Sequence, residues 1–130
     1  MFEVPAFHCN RVINFLVDTG STYSAITEKE ATLLRIEVAV LPESKKGAIG
    51  FGGTFRNKII NHPVILTFKS PTDEYKITYG SGFPVICVPS SATGEEREKW
   101  LSYSPYVLGM EILGKFQVYV DRKKVELSVA

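Results

Sequence analysis

A chain of 130 residues with 15 basic and 14 acidic side chains carries a net charge of +1 and a hydrophobic share of 45%. That length predicts one domain over 1–130 with a core of ordinary size. The near-neutral balance gives no electrostatic case for nucleic acid or an anionic membrane as partner, and no apolar run approaches the roughly 20 residues of a membrane span.

The chain starts with Met1, Phe2, Glu3, Val4 and Pro5, without the basic and apolar regions of a signal peptide. Cys9 and Cys87 stand at no metal-like spacing and read as reduced, buried thiols, so a cytoplasmic protein is expected. Residues 2–8 and 11–17 read as two strands, the second apolar enough to be buried on both faces. Thr27 followed three places on by Glu30 is a capping box, opening a helix through Ala31, Leu33 and Leu34. Residues 36–41 read as a short extended piece ended by Pro42. Four glycines fall between 47 and 53, and the strands on either side predict a hairpin. Two β-rich runs, 64–68 and 75–79, flank a polar turn, and 83–88 is another apolar strand. A polar insert at 89–104 holds a short helix over 95–101 with Trp100 inward. A turn and helix over 107–116 and a closing hairpin, 117–120 with 125–129, complete the chain. Many short strands with one or two short helices predict an all-β fold, a small closed barrel.

The chemistry concentrates at Asn14, Phe15, Leu16, Val17, Asp18, Thr19, Gly20 and Ser21. An apolar run leads to one carboxylate and stops at a turn, an expensive place for a charge unless it is paired or used. Gly20 lets the backbone come close to a substrate, and its amide is placed to orient the carboxylate. Ser21, Thr22 and Ser24 add hydroxyls. A Ser21 hydroxyl donated to Asp18 would favour the ionised carboxylate; the plain alternative is that it satisfies the turn. Asp18 has a plain alternative as well, a cap on its own turn with Thr19.

This run resembles the Asp-Thr-Gly-Ser signature of aspartic proteases. Tyr106, Val107, Leu108, Gly109, Met110, Glu111, Ile112 and Leu113 resemble the apolar-apolar-Gly turn and short helix near the end of the retropepsin-like (retroviral-type) members. Between them, Gly47 to Phe55 is similar to that family's glycine-rich flap. The resemblance implies an acid-protease β-barrel with a flap hairpin, in which Asp18, Thr19 and Gly20 are catalytic. Ser21, Ile49, Gly50, Phe51, Gly52 and Gly53 would then meet the substrate, with Phe51 and Phe55 covering a bound peptide. The motif occurs once, so the second carboxylate must come from another copy, and a homodimer acting on a polypeptide is implied. Thr19 would bond across the pair to the other subunit, and Gly109 would support the Asp18 loop from below.

Such a pair needs neither metal nor cofactor: the ionised partner activates a water and the protonated one donates to the peptide carbonyl. Other chemistries fit less well. The glycine run lacks the Gly-Lys-Ser/Thr ending of a phosphate loop. His8 and His62 show no ligand spacing with either cysteine. Ser21 and Ser24 lack the Gly-x-Ser-x-Gly frame of a serine nucleophile. The alternative from a different class is a catalytically inactive module of the same fold that binds peptides or dimerises, with Asp18 structural.

Overall fold

The computed structural model describes residues 1–44, 48–50, 53–89, 92–103 and 106–129, with the side chains of 48–50, 53–56 and 103 excepted. Strand β1 (Phe2–Val4) ends in a 3-10 turn at Pro5–Phe7, where proline's fixed φ suits the first position. β2 (Cys9–Arg11) pairs back on it, and β3 is only Leu16–Val17. β4 (Ile26–Thr27) runs straight into α1 (Glu28–Leu33), and a second 3-10 turn covers Val38–Val40. β5 (Ala48–Gly50) and β6 (Gly53–Ile60) form the glycine hairpin, with Ile49 opposite Thr54 and Gly50 opposite Gly53. β7 (Val64–Lys69), β8 (Glu74–Tyr79) and β9 (Phe83–Cys87) follow, then α2 (Gly94–Tyr103), β10 (Val107–Leu108) and α3 (Met110–Leu113). β11 (Gln117–Val120) and β12 (Val125–Ser128) close the chain.

Among the described residues the pairings make two four-stranded sheets, ordered β2-β1-β7-β8 and β4-β9-β6-β5, and two separate pairs, β10-β3 and β11-β12. Strand outweighs helix, as predicted, but these ladders do not join into a closed barrel. The reason lies in short strands. The apolar run 12–17 gives only Leu16 and Val17 to a ladder, and β4 and β10 are equally brief. No helix among the described residues is long and apolar enough to cross a membrane.

The core forms where alternation puts apolar side chains on one face of a strand. Phe2 and Val4 of β1, Val64 and Leu66 of β7, and Phe83, Val85 and Cys87 of β9 are all buried, as are Ile26 and Ile60. The rings of Phe2 and Phe83 meet edge-on at 5.1 Å, and Tyr79 meets Phe83 at the same distance. A second aromatic group joins Phe116 to Phe68 and Tyr75, at 5.1 and 5.3 Å. Each large side chain fully buried in this way contributes roughly 1.5–3 kcal/mol. Cys9 is a half-buried thiol, and burial pushes it up, so it stays protonated.

Three charged side chains tie the helices and turns to the sheets. Glu30 is buried, which requires a partner; Arg11 of β2 donates to it through Nε at 3.0 Å. The capping box is therefore half formed. Thr27 accepts the Glu30 N–H at 3.5 Å, while the Glu30 carboxylate turns to Arg11. Glu28 accepts the Val88 N–H at 2.9 Å and pairs with Arg97 of α2 at 2.8 Å, so the polar insert is fastened to α1. Trp100 of α2 is half-buried.

Lys58 of β6 is buried, and its Nζ donates to the carbonyls of Val38 and Ala39 at 2.9 and 3.1 Å. These bonds explain why 38–40 coil into a 3-10 turn rather than extend: the ammonium gathers successive carbonyls that a strand would point apart. Lys58→Met keeps the apolar stem and removes both bonds. Thermal or denaturant unfolding should show a loss of about 1–3 kcal/mol; unchanged stability would mean that the ammonium does not hold the turn.

Candidate functional site

The parallel pairing of β3 with β10 sets Leu16 beside Val107 and Val17 beside Leu108. The Leu16 N–H donates to the Tyr106 carbonyl at 2.9 Å, and the Asp18 N–H to the Leu108 carbonyl at 3.1 Å. Asp18 is thus the first residue past the strand, held by its backbone. The strand lies at a rim, not inside two layers as its sequence predicts. Leu16 is 52% exposed, and Phe15 and Val17 are half-buried. Among the described residues β10 is the one strand that pairs with β3, and only two residues of it are paired.

The Asp18 carboxylate is half-buried. Its Oδ1 accepts the Gly20 N–H at 2.9 Å, and its carbonyl accepts the Ser21 N–H at 3.1 Å, which together fold the chain into an Asx-type turn. Among the described residues Oδ2 accepts no hydrogen bond. A Cβ on Gly20 would stand 3.2 Å from Oδ1, so glycine suits this close approach. Thr19 is exposed. Ser21 does not act on Asp18 as its position suggests: its hydroxyl donates to the Tyr23 carbonyl at 2.8 Å. A carbonyl two residues on offers the nearer acceptor, and the hydroxyl closes the turn instead.

A second turn, at 109–111, locks into this one. Met110 N–H donates to the Ser21 carbonyl at 2.8 Å, and Glu111 N–H to the Thr22 carbonyl at 3.1 Å. Ser24, fully buried, accepts the Gly109 N–H on Oγ at 2.8 Å and gives its own N–H to Glu111 Oε1 at 2.6 Å. Gly109 fits only without a side chain. A Cβ there would lie 2.5 Å from the Tyr23 carbonyl oxygen and 2.9 Å from that of Ser21. Leu16, Tyr23 and Met110, at 52%, 57% and 43% exposure, leave apolar surface open around the turn. Tyr79 of β8 stands close enough to be affected. Burial, then the charge of Glu111 and then Tyr23, pushes its hydroxyl up, so it stays a proton donor at neutral pH.

The expected site residues therefore fall into two groups. Asp18, Thr19, Gly20 and Ser21 share one turn. Ile49, Gly50 and Gly53 lie on the β5-β6 hairpin, and no hydrogen bond joins that hairpin to the turn among the described residues. Phe51 and Gly52 lie outside the described residues, as does the side chain of Phe55. Among the described residues, no three His, Cys, Asp or Glu side chains stand together as a metal site. Sequence reasoning gave no role to Glu111. Its signal was there, the single charge in the apolar run 106–113.

Gly109→Ala should displace the 21–23 carbonyls and cost roughly 1–3 kcal/mol, with the largest amide shifts at Ser21 to Ser24 in a heteronuclear spectrum. A native spectrum and unaltered stability would show that the two turns do not need this contact. Compared with known proteins, the chain matches no protein-family model, no curated protein and no solved structure.

Proposed function

We propose that this chain is a retropepsin-like aspartic endopeptidase, assembled as a homodimer that places one Asp18 from each subunit at a shared cleft. The observation that carries the reading is the Asp18 turn itself. A carboxylate ends a short strand, is fixed by backbone bonds to a second turn, keeps Oδ2 unbonded among the described residues, and is ringed by exposed apolar side chains. A carboxylate that only capped a turn would need no such interlock beneath it.

In the paired site the ionised Asp18 takes a proton from a water, whose oxygen attacks the peptide carbonyl carbon. The protonated Asp18 of the other subunit gives its proton to the carbonyl oxygen. The tetrahedral gem-diol then collapses: the second carboxylate takes back a hydroxyl proton, the first carboxyl gives its proton to the amide nitrogen, and the C–N bond breaks to leave a carboxylic acid and an amine. The two roles need one ionised and one protonated carboxyl at the same site, so each subunit contributes one. An extended peptide would lie over the turn by strand-like bonds, under the glycine hairpin, and the two four-stranded sheets would serve as walls of an acid-protease barrel. The dimer surface we propose is the last two strands: among the described residues the β11-β12 pair ladders with no other strand, and Tyr119, Val120 and Val125 on it are exposed. A second copy adding to this free edge would cover them. The two cysteines stand at no metal-like spacing, which suits thiols kept reduced in the cytoplasm.

One observation favours the second reading, an inactive peptide-binding or dimerisation module: the Oδ1–Gly20 bond gives Asp18 a structural task. Asp18→Asn separates the two. The amide oxygen can still accept the Gly20 N–H, so the fold should persist, while peptide cleavage should fall by roughly 10²–10⁴-fold or more. Excess Asp18→Asn mixed with wild type should suppress activity through mixed dimers, and dilution should weaken activity. Undiminished cleavage by the variant, or full activity in a sedimenting monomer, would sink the proposal.

Because the Ser21 hydroxyl is given to Tyr23, Ser21→Ala should loosen the turn, at a cost of about 0.5–1.5 kcal/mol in denaturant unfolding. Unchanged stability would mean that this bond does not hold the turn.

A further inference from the structure

We infer that Glu111 is a positioning residue for the Asp18 carboxylate, an inference that rests on the reading of Asp18 as the functional group. Between them, the backbone bonds of the two turns fix Asp18, Ser21 and Thr22. The far end of the loop is fixed by side chains, and Glu111 supplies the charged bond. Its Oε1 accepts the Ser24 N–H at 2.6 Å across 87 residues of sequence. Charged acceptors make the shorter and stronger bonds, and Ser24 is fully buried, so no water replaces this acceptor if it is lost.

The second observation concerns the other oxygen. Glu111 Oε2 is buried and has no hydrogen-bond partner among the described residues. A buried carboxylate oxygen left unbonded is costly and calls for an explanation. A neutral acceptor would hold the Ser24 N–H without that cost, so packing alone does not account for the residue. The carboxylate is kept where its oxygen meets Ser24, at the expense of its own second hydrogen bond, which is a sign of a site tuned for position rather than stability. The chain of contacts to the reacting group is short. Glu111 holds Ser24, whose neighbour Tyr23 accepts the Ser21 hydroxyl, and Ser21 N–H in turn bonds the Asp18 carbonyl. Loss of this bond weakens the end of the loop that follows Asp18, where the Ser24 hydroxyl still accepts from Gly109.

The test uses the full chain and three variants. Amide hydrogen exchange is followed by NMR at Gly20 and Ser21, with Leu66 and Val85 as core references. In Glu111→Ala, exchange at Gly20 and Ser21 should rise about ten-fold or more relative to the references. Glu111→Gln retains an oxygen that accepts from Ser24 and should stay within about three-fold of wild type. Glu111→Asp keeps the charge but withdraws the oxygen by one methylene, and should behave like the alanine variant; it decides the matter if alanine prevents folding. In a peptidase assay, alanine and aspartate should lower kcat roughly 10–100-fold with KM within about two-fold, as a displaced reacting group does. Equal exchange at Gly20 and Ser21 in all variants, or glutamine failing as badly as alanine, overturns the inference. Absence of cleavage by wild type at any concentration refutes the protease instead, and the exchange result still decides the role of Glu111.

Discussion

The contact between Gly109 and the carbonyls of Ser21 and Tyr23 is the constraint on which the rest of the site depends. A single missing Cβ lets two turns interlock, at a separation where a side-chain carbon would stand 2.5 Å from a backbone oxygen. That approach brings Met110 N–H to Ser21, Glu111 N–H to Thr22 and Gly109 N–H to Ser24. Each is a backbone polar group that needs a partner, and each finds it on the other turn. The interlock does what a longer strand pairing would otherwise do. With only two paired residues, β3 and β10 would be a weak ladder alone.

Around the site, charge joins the peripheral pieces in addition to apolar packing by Ala31, Leu34 and Leu41. Glu30 with Arg11, Glu28 with Arg97 and Val88, and Lys58 with two carbonyls each connect a helix or turn to a sheet. The core itself is apolar and aromatic, from Phe2 to Phe83 and on to Tyr79. Exposed ion pairs contribute little, so the partners that matter are those with a buried member, Glu30 and Lys58. Their loss would leave a polar group without water or partner.

Much of the fold was legible in the sequence where one local rule decides the outcome. β7, β8 and β9 follow the alternation of apolar residues, the glycine hairpin pairs about its turn, and α1 starts where Thr27 stands. The failures come where a distant residue decides. Residues 38–40 coil because Lys58 gathers their carbonyls, and the capping box is left half made because Arg11 claims Glu30. The run 12–17 looks like a buried strand because its composition is apolar, yet only one short neighbour pairs with it, so Leu16 lies open. At the site, the Asp18 turn was visible from its residue types. The direction of the Ser21 hydroxyl and the reach of Glu111 were not, since both depend on acceptors and donors fixed by tertiary geometry.

The parallel pairing of β3 with β10 also governs the order in which the molecule is made. Residues 16–18 take their partners from 106–108, and Ser24 takes both of its own from 109 and 111, more than eighty positions later. Contacts of such long sequence separation form late, after loop closure has been offset by the earlier sheets. On the ribosome, β1 and β2 can pair at once, and the aromatic core can close when β9 emerges. The Asp18 loop has nothing to bind until the residues after α2 have left the exit tunnel. A nascent or truncated chain that stops before residue 106 leaves the Asp18 loop without these partners.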